Sequence, residues 1–373
     1  MGSEILLYGY GAICFGMILF NLAYNVVLSR NEKKLTRIRG SFTAEIKRQM
    51  ERIRREEPVE TRHKKKMERK LLRVKNMVAL DKALESEIEK DSAADVYLRE
   101  MQDVMLKLAG VYEKRDNLQS AFFAYFVSHH TVWESGYIEN LEEQMIRYLK
   151  KDSFYCKINA LQALCSFAVP ETVVRALELQ DRDKTEIHEK ILTEILLAYE
   201  GEHEALISLL WQRFDAFSQR LRLAVLNYIR FQSGKWKKEM YAIMTDPEQD
   251  KELRLAAIRY FARYPYEEAR PVLLAMVLSK DPMQWEAAAV SATALASYEG
   301  EDVVQSLMTA MGSPNWYVRY NASASLEAHG LEYSQLLNII RGSDRYAREM
   351  ILYRLEESAL EKEKKSGREA RRT

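Results

Sequence analysis

Hydrophobic positions follow three regimes along the 373-residue chain. From Ile5 to Leu28 runs a stretch of 24 residues without a charge, rich in Leu, Ile, Phe, Val and Met. As a helix it would span roughly 36 Å, enough to cross a bilayer with some tilt. The apolar residues then thin to steps of three and four, at Leu35, Ile38, Phe42, Ile46, Met50 and Ile53, with Lys, Arg and Glu between them. That spacing predicts an amphipathic helix reaching about Glu57, where Pro58 ends it. A further helix is predicted after the basic cluster His63-Lys64-Lys65-Lys66, with apolar Met67, Leu71, Val74, Val78, Leu84 and Ile88 on a face suited to coiled-coil-like packing. From about Asp152 the pattern changes again, to pairs of amphipathic segments separated by short breaks.

These pairs repeat. Aligning YCKINALQAL (155–164), HEKILTEILL (188–197), RLRLAVLNYI (220–229), ELRLAAIRYF (252–261), QWEAAAVSAT (284–293) and YVRYNASASL (317–326) places Lys157, Lys190, Arg222, Arg254, Glu286 and Arg319 in register. Their spacings are 33, 32, 32, 32 and 33 residues. In the fifth unit the first helix is expected from about Trp285 to Tyr298 and the second from Glu301 to Met311, with Glu299-Gly300 turning the chain and Gly312-Ser313-Pro314 closing it. Small residues such as Ala288, Ala289, Ala292, Ala322 and Ala324 let neighbouring hairpins approach. A single hairpin of this size has no core, so stability must come from stacking.

Composition supports an all-α chain: only 14 Gly and 7 Pro are present among plentiful Ala, Leu, Glu, Lys and Arg. A net charge of +1 conceals segregation. Residues 30–75 hold 18 Lys and Arg against 7 Glu, giving +11, so residues 76–373 carry −9. The basic collar follows the apolar run and Glu4 precedes it, the reverse of a cleaved signal peptide. The positive-inside rule then predicts a single-pass cell-membrane anchor with its N-terminus outside and the rest cytoplasmic. Tyr8, Tyr10 and Tyr24 suit the aromatic belts of such a span. Ala12 and Gly16 offer a small-residue flank for a second transmembrane helix, and Asn21 and Asn25, one turn apart, either sit wetted at the interface or bond to that helix. Lys64, Lys65 and Lys66 are the expected contacts to anionic lipid headgroups. Cys14, Cys156 and Cys165 read as free thiols.

The segment SPNWYVRYNASASL (313–326) resembles the HEAT repeats, in particular the short bacterial type first named from phycobilisome lyases, whose pattern runs roughly Asp-x-x-x-x-Val-Arg-x-x-Ala-x-x-Ala-Leu. Asp152 and Asp281 occupy the acidic position, while Glu286 and two lysines depart from the basic one. The resemblance covers about residues 137–355 and implies an α-α superhelix. The chain then divides into a transmembrane anchor (1–29), basic juxtamembrane and coiled helices (30–90), a helical cap (91–150), HEAT-like repeats (151–358) and a charged disordered tail (359–373). Tetratricopeptide repeats have a similar period, but their Trp, Gly and Pro signature is missing.

No catalytic constellation emerges, and no enzyme activity, cofactor or metal is expected. Ser233-Gly234-Lys235 lacks the upstream glycine of a phosphate loop and reads as a turn. The pairs His188-Glu189 and His203-Glu204 are similar to the ligands of the deoxyhypusine hydroxylases, a HEAT-repeat enzyme family, but fall on different helices of one unit. Nucleic acid is disfavoured by an acidic solenoid. Arg222, Arg254 and Arg319 read either as a ladder onto adjacent loops or as a ligand site. Trp133, Trp285 and Trp316 are expected in core or inter-repeat packing, whereas Trp211 and Trp236 fall on second helices, which line the concave groove in this family. Arg175, Trp211, Arg213, Trp236 and Gln305 are the residues predicted to meet a partner. The whole layout points to a membrane-tethered scaffold that supports an integral membrane protein. It resembles accessory subunits of bacterial membrane enzyme complexes, with a polysaccharide-synthase-type glycosyltransferase as a fitting partner. A metal- or small-ligand-binding sensor or enzyme using the groove is the alternative.

Overall fold

The computed structural model describes residues 2–85, 92–130, 135–331 and 333–356, without the side chains of residues 2–7, 12 and 135–139. Expectations for Ile88, Trp133 and the tail after residue 358 lie outside them. The described residues are helical with no strand, an all-α HEAT-like solenoid fold. They divide into two compact units, Met1–Thr185 with Ala198–Gly201, and Glu186–Leu197 with Glu202–Thr373.

The first unit begins with α1, Gly2–Ile53, a single helix of 52 residues and about 78 Å. The charge-free stretch and the amphipathic stretch are therefore continuous. From Tyr8 to Leu28 the described side chains are exposed except half-buried Cys14, and this helix is long and apolar enough to cross a membrane. Beyond it the apolar stripe turns inward: Phe42, Ile46 and Met50 are buried, covered by α3 (Val74–Ala83) and α4 (Ser92–Glu100). The helix stops ahead of Pro58, where Glu56 takes a left-handed conformation (φ 60°) and Arg52 holds Glu57 at 2.9 Å.

The helix expected after residue 63 is broken. Helix α2 (Thr61–Leu71) ends before the extended Arg73, and the Asn76 amide donates to the Lys70 carbonyl at 2.7 Å, capping the exposed end. Its apolar residues pack inside the unit. Glu45 of α1 receives Lys70 at 2.8 Å and Lys66 at 3.1 Å. Burial alone would raise the Glu45 carboxyl pKa; the two lysines outweigh it and hold the group below its ordinary value.

Helices α5 (Gln102–Glu113), α6 (Asn117–His129), α7 (Ser135–Leu149), α8 (Phe154–Ser166) and α9 (Pro170–Asp181) complete this unit. The helices stack in two rows, α2 on α5, α5 on α7 and α7 on α9, and α3 on α6 and α6 on α8, with α8 also packed between α7 and α9. Buried tyrosines tie each layer to the one before. The hydroxyls of Tyr112, Tyr148 and Tyr199 donate to the carbonyls of Leu71, Ala109 and Ala168, at 2.7, 2.8 and 3.1 Å. Each link spans 31 to 41 residues of sequence, the reach of one repeat.

His63 is part of the same system, its Nε2 2.9 Å from the Tyr97 hydroxyl. Burial, ahead of the neighbouring charges, lowers the His63 pKa. The folded state thus binds this proton less readily than the unfolded chain, so its contribution is complete above about pH 6.5 and declines as pH falls below it. Thermal melts of the full protein between pH 7.5 and 5.5 should show a falling midpoint. His63→Gln, which keeps a hydrogen-bonding partner for Tyr97 without titrating, should flatten that slope; an unchanged slope would refute the assignment.

The second unit contains α10 (Glu189–Leu197), α11 (His203–Gln212), α12 (Gln219–Gln232), α13 (Lys237–Thr245), α14 (Lys251–Phe261), α15 (Arg270–Val277), α16 (Trp285–Ala294), α17 (Glu301–Ala310), α18 (Trp316–Ala328) and α19 (Leu337–Ile340), with residues 345–356 also helical. First helices stack in order, α10 on α12, α12 on α14, α14 on α16 and α16 on α18, and each second helix packs on the first helix of the next hairpin, α11 on α12, α13 on α14, α15 on α16 and α17 on α18. The fifth hairpin forms as predicted, its first helix finishing in a 3-10 turn at Leu295–Ser297. Gly300, at φ +136°, starts α17; a side chain there would meet the Arg270 guanidinium that pairs with Asp302.

The repeat register has a structural basis. Four residues before the register position, Ser218, Asp250 and Asn315 cap α12, α14 and α18 by accepting backbone N–H groups, as Ser153 caps α8 and Asp344 the last helical segment. The basic ladder holds in part. Lys157 reaches Asp183, Arg254 the Met244 carbonyl at 3.3 Å, and Arg319 the Ser313 carbonyl and Asp344. Lys190 is exposed, and Arg222 lies 6.0 Å from the Phe214 ring centre. Glu286 replaces a ladder cation because it pairs with Lys251 of the preceding first helix.

Candidate protein-interaction surface

The predicted partner residues fall in both units. Arg175, in the first unit, pairs with Glu143 at 2.5 Å. In the second unit, Trp211 on α11 and Trp236 at the start of α13 are half-buried with ring centres 5.2 Å apart, and Trp211 stacks on Phe214 at 4.7 Å. Most of their surface is therefore used for packing between second helices. Exposed Arg213 follows α11 directly. Gln305 lies on α17, donating to Glu301 at 2.7 Å.

The residues predicted to touch membrane or lipid lie on α1 and α2. Gly16, Asn21 and Asn25 lie on the exposed face of α1, with open space where a Gly16 side chain would stand; the Ala12 side chain is outside the described set. Lys64 pairs with Glu100 at 2.8 Å and Lys66 with Glu45, while Lys65 and Lys66 are both exposed. Two of the three lysines thus also link α2 to α1 and α4.

Sequence reasoning missed an exposed aromatic group in the second unit. Along α18, Val318, Ala322 and Leu326 are buried one turn apart, which turns Trp316 and Tyr320 to another face. In residues 345–356, buried Ala347 and Ile351 likewise leave Tyr346, Met350 and Tyr353 together. Trp316 and Tyr320 stack at 4.8 Å, and with Pro314, Tyr346, Met350 and Tyr353 they line a pocket of about 510 Å³. Trp316, Tyr346 and Tyr353 are 55, 70 and 59% exposed. Trp316 is therefore surface, contrary to the packing role expected of it, because it stands two residues ahead of Val318, where the buried stripe begins, and so points to the other side of the helix. The offset of these aromatics from the stripe was the sequence signal for the site.

The pocket's charges are largely committed. Arg354 lies over the Tyr320 ring at 4.4 Å and Arg319 over Tyr346 at 5.4 Å, while Glu349 accepts from Arg345 at 2.6 Å. What faces outward is aromatic surface with hydroxyl and indole donors, the composition of an interface anchor.

The histidine pairs do not converge: His188 contacts its neighbour Glu189 at 3.0 Å, and His203 the Tyr228 hydroxyl at 2.7 Å. Among the described residues no group of three His, Cys, Asp or Glu side chains is placed to hold a metal. Ser233-Gly234-Lys235 is a turn between α12 and α13. Burial pushes the Cys156 and Cys165 thiols up, to about 11 and about 12, away from reactivity.

Residues 238–327, from α13 to α18, match the HEAT repeats family. The array is HEAT-like. The HEAT match and the all-helical fold support a protein-interaction scaffold, and stacked hairpins of this kind present broad surfaces rather than a single cleft. The chain matches no curated protein.

Proposed function

We propose that this protein is a membrane-tethered scaffold that binds and supports a membrane protein complex through its HEAT-like array, without chemistry of its own. In this reading α1 is a single-pass anchor in the cell membrane, N-terminus outside, and the repeats are cytoplasmic. The observation that carries the scaffold role is the aromatic pocket on α18 and residues 345–356, since exposed Trp and Tyr gathered at one place mark docking surfaces. Anchoring would raise the local concentration of array and partner, so that modest contacts suffice. The candidate partner is a polysaccharide-synthase-type glycosyltransferase, a proposal resting on layout alone.

The test is purification of the full protein in mild detergent with quantification of what accompanies it. Trp316→Ala/Tyr346→Ala should reduce the accompanying protein about tenfold or more, as loss of interface anchors does, whereas Tyr155→Ala, an exposed aromatic elsewhere, should not. Equal recovery with both variants would remove the pocket from the interface.

A further inference from the structure

We propose that Arg230 on α12 and Arg263 just past α14, both over the exposed ring of Phe231, form with Arg259 of α14 a docking site for an acidic segment of a partner protein. This deepens the scaffold reading and rests on it only in taking the occupant to be a protein.

Two of the cations share one ring. The guanidinium carbons of Arg230 and Arg263 lie 4.6 and 5.8 Å from the centre of the same Phe231 ring, and that of Arg263 is 5.8 Å from Tyr264. Arg259 is one helical turn before Arg263. Tyr264 is held close by Gly234, where a side chain would run into its ring. Among the described residues, none of the three guanidiniums makes a hydrogen bond or ion pair, and the Nε of Arg230 is buried without a partner. Other arginines of this unit do: Arg220 meets Glu186 at 3.3 Å, and Arg270 meets Glu267 at 3.6 Å as well as Asp302.

Gathering unneutralised cations is unfavourable, and burial first, then the charges of Arg259 and Arg263, lowers the Arg230 pKa. Stacking on Phe231 offsets part of that cost but leaves the edges of the guanidiniums, which carry the donors, directed elsewhere. A carboxylate matches that planar fork with two parallel hydrogen bonds. The charge argument is local, because residues 76–373 carry −9 overall. A nucleic acid would meet that net repulsion along its length, whereas a short acidic segment would not. Phe231, 41% exposed, adds an apolar contact among the charges that inorganic phosphate has no group to use.

The probe is a fluorescein-labelled peptide of glutamates with one central phenylalanine, titrated by anisotropy against the full chain in non-ionic detergent. The wild type should bind it with an affinity that falls as salt rises. Arg259→Gln/Arg263→Gln should weaken binding about tenfold, and exposed Arg263→Gln alone should weaken it in the same direction without threatening the fold. The basic collar is the competing site, so Arg37→Gln/Arg39→Gln on α1 serves as the control and should change binding less than about twofold. The proposal fails if the collar variant loses as much as the arginine variant, or if the arginine variant binds like wild type. Displacement of the peptide by about 10 mM phosphate at matched ionic strength would instead make this a small-anion site. Loss of binding to phosphatidylglycerol vesicles with peptide binding intact would make it a membrane contact. Because none of these variants alters Trp316 or Tyr346, failure here leaves the scaffold test standing on its own.

Discussion

Replacing Asp183 by Ala should destabilise the first unit by about 3 kcal/mol, because it strands the Lys157 ammonium in the interior. Lys157 is 2% exposed and has no water to turn to. Its Nζ is 2.5 Å from Asp183 Oδ1 and 2.9 Å from the Thr185 hydroxyl, so two partners in one loop satisfy a charge carried by α8. Removing the carboxylate leaves one neutral acceptor. Asp183→Asn, which preserves an oxygen acceptor, should cost less, and Lys157→Met/Asp183→Ala should recover much of the loss since no charge is then buried. Urea unfolding followed by circular dichroism measures all three. The Lys157 hydrogen bond, followed by that from the Thr185 amide, also holds the Asp183 carboxyl below its usual range. Its contribution is therefore complete above about pH 4 and is lost as pH falls further toward the folded-state value. A destabilisation below about 1 kcal/mol in Asp183→Ala would mean that Lys157 reaches solvent on its own.

That pair also marks how far the sequence could be read. The position of Lys157 was legible because it recurs every 32 or 33 residues, and a periodicity set by stacking must appear in the residues that cap and join successive hairpins. Its partner was not legible, since Asp183 lies 26 residues away in a loop that belongs to no periodic pattern. Hairpin five was readable to within a residue because Gly300 and Pro314 interrupt the helices chemically. The division between α2 and α3 was not, because apolar spacing continues across it and the break depends on the Asn76 side chain capping Lys70. The lysine cluster showed its charge in the sequence but not its destination, which is set by where α1 presents Glu45. For the interaction surface, helical spacing contained the answer at Trp316, Tyr320, Tyr346 and Tyr353. The reading failed there because aromatic residues in a repeat were assigned to its core, when the buried stripe had already been filled by Val318, Ala322 and Leu326.

Deleting residues 2–28 should convert the protein from one that stays with membranes through high salt and alkaline carbonate into one recovered in the soluble fraction. Every described side chain from Tyr8 to Leu28 apart from Cys14 is exposed, so this part of α1 buries nothing against the rest of the chain and its removal takes away no packing. The core that α1 does contribute begins at Phe42, and Ile46 and Met50 continue it. The truncated protein should therefore keep its helicity and its melting behaviour. Insertion provides the opposing driving force, with each Leu, Ile, Phe or Val contributing about 0.3–0.6 kcal/mol at the centre of a span. Release of the full protein by carbonate would contradict an anchor outright. The asparagines then separate two roles within it. If Asn21 and Asn25 are wetted at the interface, Asn21→Leu/Asn25→Leu should stay in the membrane with its partner. If they bond to a partner's helix, the same variant should stay in the membrane without it, since leucine strengthens insertion while removing the only amide groups along the apolar run.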